Sequence, residues 1–246
     1  NQNAQRAMKF ATSPRLIFLS FLIVVLCGFS ARAHDSIDSE GREHYLSTLH
    51  KAEELTSDNS AVAARAKALY QIAITLDEIR DLFNQDIISH GRIMGLETSM
   101  LIKELSRAGY TLELSAKTGL YLSHLQYYRE AMRLEPKALF GDHARYMLLK
   151  SHFYDSFSDD PMAPISQSKE TLLEMLAIAE NLLTAKDSAI NAEEVRFILA
   201  IHYLQAIDQR IMAEDLGRKK FDNLLQELRK DYPQSLKPLT LEALAQ

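Results

Sequence analysis

Histidine and paired carboxylates are the residues of this 246-residue chain with the most chemistry to offer. The chain carries 8 histidines, and a metal site would need them at ligand spacing. His34, at the head of a processed chain, could chelate copper through its amine and imidazole. His44 and His50 would project about 240° from each other on a helix. His143 and His152 fall on opposite sides of theirs. No two histidines stand four apart in an H-E-x-x-H arrangement. They read as solvated surface groups, and no metal or other cofactor is expected. His202 differs, because it lies on an apolar stripe beside Tyr203, with Asp208 and Arg210 close in sequence. There it would be a hydrogen-bonded contact between helices or a buried acid–base group.

Adjacent acids occur at Glu53-Glu54, Asp77-Glu78, Asp159-Asp160, Glu193-Glu194 and Glu214-Asp215. Neighbours on a helix point about 100° apart, so such pairs are poor general acid–base partners, and a solvated helix face is the reading. The Asp159-Asp160 loop lacks the D-x-[DN]-x-[DN]-G calcium pattern. With no catalytic constellation, no enzyme activity is expected. Tyr121, Tyr127, Tyr128 and Tyr146, with Phe153, Tyr154 and Phe157, form an aromatic enrichment of the kind that binding surfaces use. Arg129, Arg133 and Arg145 lie among them and suit a carboxylate on a protein or peptide partner. Packing between helices, and ion pairs with Glu130 and Glu135, are the alternative.

The elements that must position these residues are helices. Apolar residues recur at three and four along Val62, Ala66, Leu69, Ala73, Leu76 and Phe83. Further stripes follow: Tyr121, Leu125, Tyr128 and Met132; Leu172, Leu176, Ala179 and Leu183; Val195, Leu199, His202 and Ala206; Phe221, Leu224, Leu225 and Leu228. Only Tyr110 to Leu114 alternates, weakly. Helices are predicted over 40–56, 60–88, 93–108, 116–135, 138–157, 168–186, 191–215 and 218–231. Ser57 to Ser60 offers N-caps, Gly91 and Gly95 bracket a break, and Asp159 to Pro164 is the clearest loop. Asn191 with Glu194 has capping-box spacing, Gly217 separates two helices, and Asp231-Tyr232-Pro233 ends the last long one. The class is all-α. Short connections and one wide apolar stripe per helix favour antiparallel hairpins stacked as an α-solenoid, with a closed helical bundle as the runner-up.

The N-terminal stretch carries an address. Residues 8–33 have the form of a secretory signal peptide: basic Lys9 and Arg15, an apolar run from Leu16 to Phe29, and an A-x-A ending at Ala31 and Ala33. Residues 1–7 precede Met8 and read as an upstream extension outside the native product. The domain proper would be 34–246, periplasmic or secreted, with no membrane span. The chain holds 28 Lys and Arg against 33 Asp and Glu, for a net charge of −5. Residues 1–33 contribute Arg6, Lys9, Arg15 and Arg32 but no acid, so the exported part is more acidic still. That balance argues against nucleic acid as a partner. The sole cysteine, Cys27, lies inside the leader. It could carry a lipid, but Leu26 stands where a lipoprotein signal has a small residue.

Tyr128-Arg129-Glu130-Ala131-Met132-Arg133-Leu134-Glu135-Pro136 resembles the second helix of a tetratricopeptide repeat, with Tyr128, Ala131 and Pro136 in the marker positions. Phe221 to Pro233 is similar to the same element as cell-envelope members of that family carry it, although Leu228 stands where they have a small residue. The resemblance implies a helical-repeat adaptor that binds proteins or peptides in the envelope. The alternatives are a lipid-anchored subunit of an outer-membrane assembly complex and a small-ligand-binding helical bundle.

Overall fold

A computed structural model describes residues 37–57, 59–116, 118–138, 140–159, 168–184 and 190–245. The leader with Cys27, Ala31 and Ala33, the following His34, and the loop at 160–164 lie outside them, as does the side chain of Phe157. Among the described residues the chain is all-α. Its nine helices are α1 (Ser39–Glu54), α2 (Val62–His90), α3 (Leu96–Arg107), α4 (Leu125–Leu134), α5 (Gly141–Asp159), α6 (Lys169–Leu182), α7 (Ala192–Asp208), α8 (Glu214–Asp231) and α9 (Lys237–Leu244). They pack mostly on sequential neighbours, in two units that divide after Asp159. No helix among the described residues is long and apolar enough to cross a membrane.

In the first unit α2 is the central element. Its 29 residues span about 44 Å. One face carries Ile72, Leu76, Ile79 and Phe83 at three- and four-residue spacing, and these share a core with Leu49 and Ala52 of α1 and with Leu101 and Leu105 of α3. Burying each such side chain contributes about 1.5–3 kcal/mol. The opposite face is polar and is nonetheless covered. Tyr70 meets His143, Asp77 meets Ser151 and Arg80 meets Asp155. Both partners climb together in sequence, so α2 and α5 run parallel and in register. α4 lies antiparallel to α2: Tyr128 touches Tyr70 and Asp77, while Tyr121, just ahead of the helix, touches Phe83 and Asn84.

The second unit is built round α7. Val195, Ile198, Leu199, Ala200, His202, Tyr203 and Ala206 are all buried along it, beneath α6, α8 and α9. α8 runs back along α7, since Arg196 near the start of α7 pairs with Glu227 and Asp231 near the end of α8.

Several predicted boundaries move. The helix expected from 116 begins only at Leu125, and Tyr121 stands outside it. The chain ahead of it folds back on itself, with Leu114 bridged to Tyr121 and Gly119 at φ 70, a left-handed conformation that glycine adopts without a Cβ penalty. Asn84 then clamps both main-chain groups of Tyr121, accepting from its N–H at 2.7 Å and donating to its carbonyl at 2.9 Å. The weak alternation at Tyr110 to Leu114 marks this place. α2 is capped by Ala61 without a side-chain bond, because Ser57 and Ser60 bond to each other instead. Asn191 does cap α7, accepting from the Glu194 N–H at 3.2 Å.

The predicted break at Gly217 falls instead at 209–213. Arg210 adopts φ 57, the Arg210 N–H bonds Ile207 O, and the Ile211 N–H bonds Ala206 O, which together make a Schellman stop with arginine in the left-handed position. Gly217 lies inside α8, where α7 approaches so closely that an added Cβ would stand 2.5 Å from Ile207 Cγ1. α9 is unforeseen; Pro238 in its first turn is the start signal that announces it.

Candidate functional site

The polar face of α2 forms the most concentrated chemistry among the described residues. Asp77, expected on a solvated face, is only 2% exposed. It stands on the same row as Ala66 and Ala73, and α4 and α5 close over that row. Its carboxylate accepts three bonds: from Tyr128 Oη at 2.9 Å, Ser151 Oγ at 2.8 Å and Arg80 Nη1 at 3.0 Å. Arg80 reaches exposed Asp81 with Nε and Nη2, at 2.9 and 2.6 Å, and lies 3.8 Å from Asp155 of α5. Asp155 in turn accepts the Ser123 N–H at 2.9 Å and its hydroxyl at 3.0 Å.

Burial sets the charges of this centre. It opposes the charge on Arg80, but Asp77, Asp81 and Asp155 outweigh it and hold the guanidinium protonated. Burial, seconded by the Asp77 charge, drives the Tyr128 hydroxyl well above its ordinary range, so that it acts purely as a donor. Burial also lifts Asp155 to about 6, even though Arg80 and Ser123 pull it down. His124, the residue capping α4, is lowered by burial while one ring nitrogen meets Thr111 O at 2.9 Å.

The predicted partner-binding residues are divided by this arrangement. Tyr128 and Tyr146 are interior, Tyr128 completely so. They belong to an aromatic group with Tyr70 and His143, in which Tyr70 also stacks on Phe140 at 4.7 Å. Tyr121 and Tyr127 are half-buried on the other side, beside Phe83, Tyr110 and His124. Arg129 and Arg133 are exposed, with Arg133 paired to Glu130 on its own helix at 2.6 Å. Arg145 is held by Asp142 at 2.8 Å and by Pro136 O at 2.9 Å. The tyrosines thus mainly pack helices together, and the exposed basic pair of α4 is the part left facing outward.

The histidines also separate. His44, His50 and His90 are exposed. His143, expected in solvent, instead bonds the Tyr70 hydroxyl through Nδ1. His202 is fully buried on α7, as its apolar stripe implies. No three His, Asp or Glu among the described residues are placed to hold a metal ion. In the second unit the most evident polar group is Glu180 Oε1, which accepts from Tyr203 Oη and Lys220 Nζ, both at 2.6 Å. Lys220 and then Tyr203 lower the Glu180 carboxyl, fixing it as an anion.

Sequence reasoning missed Asp77, Arg80, Ser123, Ser151 and Asp155. The available signal was the helical spacing of Ala66, Ala73, Asp77, Arg80 and Asn84, which carries charges along an otherwise apolar row. Both oxygens of Asp77 and of Asp155 are engaged by neighbouring side-chain or main-chain donors, so the evident task of the centre is to fasten α2, α4 and α5 together. The chain matches no protein-family model, no curated protein and no solved structure.

Proposed function

We propose that the protein is an exported helical-hairpin adaptor that binds a protein or peptide partner in the cell envelope, the periplasm in particular. The observation that carries this reading is the stacking order of the first unit. α4 lies antiparallel on α2 and also packs on α5, which meets α2 in parallel register, a helix order that supports layered hairpins of the α-solenoid kind. An array of that kind leaves outer helix faces for a partner's helix or extended segment. The leader pattern at residues 8–33 supports export.

Arg129 and Arg133 on the exposed face of α4 are the proposed partner contacts, suited to a partner carboxylate. The test is affinity purification of the C-terminally tagged chain from native envelope, with the Arg129→Glu, Arg133→Glu double variant alongside. Enrichment of the same envelope protein with the parent chain, and its loss with the variant at unchanged helical content, is the expected result. No enriched protein, or equal recovery with both chains, would overturn the assignment. Mass spectrometry of the processed N-terminus separates the soluble and anchored forms: a free His34 is expected, and a lipid on Cys27 would replace the soluble adaptor by a tethered one.

A further inference from the structure

We propose that the turn between α2 and α3 is a membrane-seating tip: exposed Ile88 and Leu96 enter the surface of a neutral phospholipid bilayer, and Arg92 takes a lipid phosphate. The proposal rests on the leader pattern at residues 8–33 and goes beyond the adaptor reading, whose contacts lie on α4. Exposure is the first observation. Leu96 is 73% exposed, more than any other large apolar side chain among the described residues, and Ile88 is 43% exposed. Leu114, also exposed, stands at the same end of the unit: it is bridged to Tyr121, which Asn84 holds one helical turn before Ile88. The turn at the other end of α2, Thr56 to Ser60, is polar by contrast.

The tip is fixed in shape. Asp86 Oδ2 accepts the Met94 N–H at 2.9 Å, the N–H of left-handed Gly91 bonds Ile87 O at 2.8 Å, and Ser99 Oγ donates to Gly95 O at 3.0 Å. Ile93 packs onto the core and anchors the turn from beneath. Arg92 is exposed and pairs with no carboxylate among the described residues. Glu97 and Glu104 are both committed to Arg42, each at 2.8 Å. Asp38 and Glu40 stand exposed at the start of α1, so this end presents no cationic field. That mixed charge selects a neutral bilayer over an anionic one, with buried apolar area supplying the attraction.

The occupant follows from where the chain enters. Ile37 packs on the first-unit core, and Arg42, in the first turn of α1, grips Glu97 directly behind Leu96. The start of α1 therefore lies at the end that carries the tip. Ala33 is within about 14 Å of Ile37 along the chain, and Phe29, the last residue of the apolar run, within about 29 Å. A leader seated in a bilayer thus delivers the first unit with residues 88–96 close to lipid. A contact of a few apolar side chains suffices there, because the connection already makes it local.

The chain contains no tryptophan, so Leu96→Trp and Val62→Trp each install a single reporter, at opposite ends of α2. Both positions are exposed, at 73% and 51%. Each full-length variant is mixed with phosphatidylcholine vesicles, plain or brominated in the acyl chains. Emission from the Leu96→Trp chain should shift to the blue, and brominated lipid should quench it severalfold more than it quenches the Val62→Trp chain. High salt should leave that difference in place. Adding Ile88→Asp and Arg92→Glu to the Leu96→Trp chain should remove most of the quenching at unchanged circular dichroism. No quenching at the tip, or equal quenching at both ends, overturns the proposal. So does a blue shift without vesicles that grows with protein concentration, which would assign the tip to a second copy. Capture of an envelope protein through Arg129 and Arg133 is read separately, so the adaptor reading and the seating tip can fail independently.

Discussion

Replacing Gly217 by alanine tests how α7 and α8 meet. The new methyl would stand 2.5 Å from Ile207 Cγ1 and 2.7 Å from its Cδ1, far inside the roughly 3.5–4.0 Å at which carbons attract. Ile207 is β-branched and holds one strongly preferred rotamer on a helix. Relief must therefore come from separating the helices or from forcing that rotamer. Such overpacking costs about 1–3 kcal/mol. Against this, alanine is favoured over glycine within a helix by up to about 1 kcal/mol. The net expectation is a destabilisation of about 1 kcal/mol. On an Ile207→Ala background the obstructing atoms are gone, and the same Gly217→Ala change should stabilise by up to about 1 kcal/mol. A four-cornered urea-unfolding cycle on the full chain, followed by far-ultraviolet circular dichroism, should then return a coupling of about 2 kcal/mol between the two sites. Effects that add to within about 0.5 kcal/mol would refute the close approach and the reasoning built on it.

Tyr128→Phe removes one donor from the buried Asp77 carboxylate and should cost about 1.5–3 kcal/mol, whereas Tyr128→Ala, which also leaves a cavity, should cost about 3–5 kcal/mol in the same urea assay. Arg80→Met strips the centre of its cation and should destabilise by about 3–5 kcal/mol at neutral pH; part of that loss should return in mildly acidic buffer, where the carboxylates can take up protons. Arg210→Gly relieves a left-handed arginine and should raise stability by about 1 kcal/mol, seen as a higher urea midpoint at an unchanged slope.

How much of this was legible in the residues depended on whether a local pattern and a tertiary demand agreed. The apolar row of α2 could be read because Leu76 and Phe83 repeat at helical spacing on a face that a core must cover. Asp77 could not be read in the same way, because an acid pair on a helix suits solvent equally well until α5 supplies Ser151 and α4 supplies Tyr128. The all-α class and most helix positions were therefore available in advance, and the polar centre was not. Punctuation failed for a related reason. Glycine at 217 looks like a stop, yet it serves a crossing of two helices, while the true stop is an arginine whose backbone conformation no residue type announces. At Tyr121 a continuous helical stripe lost to Asn84, a contact from 37 residues away.

The two-sided burial of α2 has a consequence for the order of folding. Its apolar side can close on α1 and α3 alone, but its charged side stays bare to water until α4 and α5 bring Tyr128, Ser151 and Asp155 against it. Residues 37–110 by themselves would hold a helix with half its partners missing, and Asp77 and Arg80 would be hydrated in place of being sealed. A fragment that stops before α5 should therefore lack the stability of the complete first unit.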